Sequence, residues 1–99
     1  MAFALPRELT IAGATALAAS LRAALEGAAE VVLDGSGVDE VDVAGLQLLC
    51  AAGRTALARG ARLAFAPGAR SRALGEAIAL AGLGRDATDR WLLAEVDRG

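Results

Sequence analysis

A run of five residues, Glu30-Val31-Val32-Leu33-Asp34, lies between two alanine-rich stretches with helical spacing. The run is short, partly β-branched and without alternation, so it reads as a central strand buried on both faces. The stretch before it, Ala14 to Glu26, carries Leu17, Leu21, Ala24 and Leu25 on one helical face, with Arg22 and Glu26 opposite and Gly27 at its close. The stretch after it, from about Ala44 to Arg59, puts Leu46, Leu49, Cys50, Gly53 and Leu57 on one face. Gln47, Arg54 and Ala58 fall on another, and Gly60 ends the helix. A helix–strand–helix succession of this kind requires a sheet with parallel pairs, joined by right-handed crossovers.

The remaining segments extend that order. Phe3-Ala4-Leu5 is apolar and stops at Pro6, which suits an edge strand. Glu8-Leu9-Thr10-Ile11 alternates and predicts a second short strand. Arg62 to Ala66 reads as another strand, stopped by the turn pair Pro67-Gly68. Ser71 is placed to cap a third helix holding Leu74, Ile78 and Ala81, ended by Gly82 and Gly84. Trp91-Leu92-Leu93, in the tail from Asp86 to Gly99, is a last helix or strand against the core, with Trp91 as its lid. The predicted order is β-β-α-β-α-β-α-tail in one domain spanning residues 1–99.

Composition removes whole classes of function. The chain has no histidine, so triads, metal centres and proton shuttles built on imidazole are excluded. A net charge of −2 and three aromatic residues (Phe3, Phe65 and Trp91) argue against a nucleic-acid partner. Cys50 is the single cysteine, which permits no internal disulfide and suits a reducing compartment. Residues 1–5 lack the pattern of a signal peptide, and charge interrupts each apolar run before it reaches the ~20 residues that span a bilayer. The expected location is the cytoplasm, with no direct membrane insertion.

The segment Leu33-Asp34-Gly35-Ser36-Gly37-Val38-Asp39-Glu40-Val41-Asp42-Val43-Ala44-Gly45-Leu46-Gln47-Leu48-Leu49 resembles the signature of STAS domains. That signature is a strand ending in aspartate, a Ser-Gly-Val-like loop, and Val-Asp-Ser-Ala/Gly-Gly-Leu opening a helix. Phe3-Ala4-Leu5-Pro6 with Glu8-Leu9-Thr10 looks like the family's opening. Gly60-Ala61-Arg62-Leu63 and Leu74 through Gly82-Leu83 look like its closing half. The resemblance implies an α/β fold with a small mixed sheet of four to five strands and helices packed mainly on one face. It implies a non-catalytic interaction module without a cofactor, similar to bacterial anti-sigma factor antagonists.

In those antagonists the serine after the second aspartate is phosphorylated by a partner kinase, and the phosphate breaks the complex. The equivalent position here is Val43, which has no hydroxyl to accept a phosphoryl group. The resemblance therefore implies a docking surface without the usual switch, formed by Ser36, Asp42, Val43, Ala44, Gly45 and Gln47. The partner expected is an anti-sigma or serine-kinase-like regulator. Alternatives are the ATPase of a phospholipid-type transporter, which short STAS proteins accompany, and a scaffold in a chemotaxis or two-component cluster; a homodimer is left open.

Several of these residues also have structural readings. Asp42 is placed to cap the helix that follows it. Ser36 can serve as a loop hydrogen-bonder, and Val43 as packing filler. Gly35-Ser36-Gly37 has the glycine content of a phosphate cradle, but no Walker lysine follows it. Asp34 and Asp42, with Asp39 and Glu40 nearby, lack a nucleophile or base that would complete a catalytic site.

Overall fold

A computed structural model describes residues 1–95. The elements are β1 (Ala2–Ala4), β2 (Glu8–Leu9), α1 (Ala14–Gly27), β3 (Glu30–Gly35), β4 (Glu40–Val41), α2 (Val43–Arg59), β5 (Arg62–Arg70) and α3 (Arg72–Leu80). Single 3₁₀ turns at Ile11–Gly13 and Arg90–Leu93 precede α1 and close the described chain. The architecture is α/β, as expected. Its strands form a three-stranded sheet ordered β1-β3-β5 and a two-stranded sheet of β2 and β4. Every named ladder among the described residues is parallel.

β3 is the central strand, but only one of its faces is deeply buried. Val31 and Leu33 are fully covered, in register with Leu63 and Phe65 of β5, whereas Val32 is half-buried and Asp34 exposed. The apolar run 31–33 therefore hides an ordinary alternation, because Val32 faces a surface lined by small residues. Ala2 and Ala64 stand in register with it on that surface. The helices cover the opposite face. α1 and α2 pack on each other and against β3 and β5, and Leu74 and Ile78 of α3 join the same core.

α1 buries Leu17, Leu21, Ala24 and Leu25, the four residues its spacing predicts. α2 departs from expectation. Its buried face is Gly45, Leu46, Leu49, Ala52, Gly53 and Ala56, while Leu57 is exposed. That face is largely glycine and alanine because two other elements approach it closely. A Cβ at Gly45 would strike the Leu9 carbonyl of β2, and one at Gly53 would strike the Trp91 indole.

Two strand boundaries also differ. β2 ends at Leu9, because the chain turns into the 3₁₀ segment at Ile11 instead of continuing to alternate. β5 is not stopped by Pro67-Gly68. The pair bulges out of the ladder, whose register jumps from Leu33↔Phe65 to Gly35↔Arg70. Gly68 takes a positive φ of 68° in the bulge, and its N–H donates to Glu95 at 2.8 Å. The tail supplies the 3₁₀ turn with Trp91 stacked on Phe65, centroids 5.6 Å apart, and a parallel bridge from Phe65 to Glu95. The part of the tail from 96 to 99 lies outside the described residues. Among the described residues no helix is long and apolar enough to cross a membrane.

Candidate functional site

The start of α2 is built around Asp42. Its backbone is extended, with φ −120° and ψ 179°, so its side chain can turn back over the helix end. One carboxylate oxygen accepts from the Gly45 N–H at 2.9 Å; the other accepts from the Ile11 N–H, also at 2.9 Å. The second bond matters because neither the 3₁₀ turn nor α1 has a side-chain cap of its own. One carboxylate thus serves the beginnings of two adjacent helices. The Ile11 amide, followed by that of Gly45, holds the Asp42 carboxyl below its ordinary value.

Two apolar side chains flank this carboxylate and face solvent. Val43, the first residue of α2, is 69% exposed, and Ile11 is 75% exposed. Val43 is therefore not packing filler. Sequence reasoning missed Ile11, because its two-residue spacing from buried Leu9 suggested that the strand went on. The signal available was Gly13 shortly after it, which marks a turn.

The four remaining expected site residues separate into three groups. Ala44 and Gln47 line an open groove of about 740 Å³ between α1 and α2, together with Ala14, Thr15, Ala18 and Ala51. Gly45 is buried against β2 and offers no side-chain surface. Ser36 is not brought to the α2 start. Its hydroxyl donates to Asp34 at 2.6 Å, and it lines a depression on the other sheet face with Val32, Ala66 and Pro67.

The loop that could have cradled phosphate leads into β4, not into a helix. Asp34 is held below its ordinary value by the Ser36 hydroxyl and amide, and it lines a different depression from Asp42. The two carboxylates are each engaged in a local turn or cap. Asp39, between them in sequence, forms an exposed ion pair with Arg7.

A family model described as "Mlab, STAS domain" matches residues 3–94. No curated protein and no solved structure matches the chain.

Proposed function

Because the chain belongs to the STAS domain family, whose members are interaction and regulatory modules, we propose that it is a non-catalytic domain that docks a regulatory protein through the start of α2. The observation that carries this reading is the solvent-facing pair Ile11 and Val43 on either side of the Asp42 cap. A β-branched apolar residue gains nothing in helix propensity at an exposed position, whereas an exposed apolar pair on a fixed scaffold gives a partner area to bury. Ala44 and Gln47 extend the surface on the same helix. Ser36 and Gly45 are left out of it, one by location and the other by burial.

The partner is a protein of the anti-sigma or serine-kinase type, and position 43 cannot take the phosphate that would release it. Binding is then constitutive, or control lies in the partner. A second reading, a regulatory subunit seated on a transporter ATPase, is favoured by the same side chain, since such a subunit needs no phosphoserine.

The test is copurification from native cells, with mass-spectrometric identification, for the native chain and for Val43→Asp. A carboxylate at position 43 adds charge where phosphate would stand, with repulsion from neighbouring acids and a desolvation cost. The expected result is one protein partner, named as kinase-fold regulator or transporter ATPase, that is lost with Val43→Asp. A partner that persists undiminished moves the interface elsewhere and overturns the reading.

A further inference from the structure

The groove between α1 and α2 carries an unbalanced charge. Among the described residues, Arg7, Arg59, Arg62, Arg70 and Arg72 each have a carboxylate partner. Arg22 on α1, Arg54 on α2, and Arg85 and Arg90 in the tail do not, and of these four Arg22 and Arg54 line this one groove. They stand on opposite helices, each in the C-terminal half. Between them and the helix starts the lining is mostly small or apolar (Ala14, Ala18, Ala44, Leu48 and Ala51), with Thr15 and Gln47 as uncharged polar groups. The groove is open to solvent and runs between two helices, so it suits a linear ligand better than an enclosed small molecule. It is continuous with the docking surface, because Ala44 and Gln47 belong to both.

We infer that this groove takes an acidic amphipathic helix of the protein partner. The apolar face of that helix lies on the alanine stripe, and its carboxylates meet Arg22 and Arg54. The inference rests on the reading of the α2 start as the docking surface. The groove from Ala14 to Leu25 is about 16 Å long at 1.5 Å per residue, enough for three turns and anchors at i, i+3 or i+4, and i+7. Paired arginines select the sign of the occupant's charge, and bidentate geometry favours carboxylates.

The probe is a pair of 18-residue helical peptides (a length of about five turns) with a common Leu/Ala stripe, one flanked by glutamate and the other by lysine. Binding to the full chain is read by fluorescence anisotropy. The glutamate peptide is expected to bind at least about tenfold more tightly than the lysine peptide. The double variant Arg22→Gln/Arg54→Gln should weaken it about tenfold without changing the thermal midpoint. Equal binding of both peptides, no binding of either, or no effect of the double variant overturns the inference.

Two other occupants have their own signatures, and either overturns it. Self-association that disappears in the double variant in sedimentation velocity assigns the groove to a second copy. Cosedimentation with phosphatidylglycerol vesicles, lost in the double variant, assigns it to a lipid surface. Native copurification separates the two levels of the argument. A partner lost with Val43→Asp but fully kept with Arg22→Gln/Arg54→Gln refutes the groove and leaves the docking surface standing. A partner indifferent to Val43→Asp refutes the docking surface.

Discussion

The Asp42 carboxylate accepts the Ile11 N–H at 2.9 Å, across 31 residues of sequence, while its other oxygen accepts within its own helix. This bond fixes where the start of α1 stands relative to the start of α2. Asp42→Ala should lower the thermal midpoint by about 4–8 °C, the scale of a lost N-cap in a domain this size. Asp42→Asn should cost less, because its single carbonyl oxygen can satisfy one amide but not both. The folded-state pKa lies below the ordinary 3.8, so the charged form's contribution is fully present above that value. It is lost as pH falls through the lower, folded value. The gap in midpoint between the native chain and Asp42→Asn should therefore be constant near neutrality and close below about pH 4.

Val43→Asp should leave the fold intact. The native side chain is mostly exposed and its removal opens no cavity. A carboxylate in the first turn also faces the positive end of the helix dipole, which offsets repulsion from Asp42. Circular dichroism melting should place the variant within about 2 °C of the native chain. A much larger drop would mean that lost partner binding reports unfolding and not docking.

The two close approaches to α2 should differ in their readouts. Gly45→Ala places its methyl against the Leu9 backbone and should destabilise the chain by about 2–3 kcal/mol in urea unfolding. Gly53→Ala pushes on the Trp91 indole, whose Cε2 and Cδ1 would lie 3.0 and 3.1 Å from the new carbon. Trp91 is the only tryptophan, so its emission should shift to longer wavelength in Gly53→Ala and stay unchanged in folded Gly45→Ala.

Arg70 ties the tail to the sheet. Its guanidinium donates to the carbonyls of Ala94 at 2.9 Å and Leu93 at 3.4 Å, and lies over the Phe65 ring at 5.3 Å. Only 20% of its side chain is exposed. Arg70→Ala should cost about 1–3 kcal/mol and raise the rotational freedom of Trp91 in fluorescence anisotropy. Lysine should rescue little, since a point donor cannot serve both carbonyls and cover the ring.

Cys50 is half-buried beside the groove, and burial, then the charge of Asp89, pushes its thiol up. At pH 8 a disulfide reagent should label it at least about tenfold more slowly than free cysteine, because less thiolate is present and access is restricted. Denaturant should remove the difference.

Much of this was legible from residue spacing. The buried face of α1, the Asp42 and Ser71 caps and the Gly60 stop follow from local rules, because each involves neighbours in sequence. The buried face of α2 was partly misread for a physical reason. Where two backbones nearly touch, the core-facing residues shrink to glycine and alanine, and a leucine such as Leu57 then marks the wrong side. β4 has two residues, too few for any periodicity to show. The return of β5 after Pro67-Gly68 depends on Arg70 finding Gly35, a contact that no local pattern encodes. In the site, Asp42 and Val43 were evident from the sequence, but Ile11, Arg22 and the groove needed the helices to be set side by side.

The parallel ladders have a kinetic consequence. Ala2 pairs with Val32, Glu8 with Glu40, Glu30 with Arg62 and, past the bulge, Gly35 with Arg70, so the named ladders join residues 30 to 35 positions apart. Among the described residues no hairpin is available to seed the sheet, and each ladder must absorb the entropy of closing a long loop before it returns any energy. The helices, by contrast, close their hydrogen bonds within four residues and can form before any ladder does. On a ribosome, the central strand would wait for residue 62 before its second edge is covered.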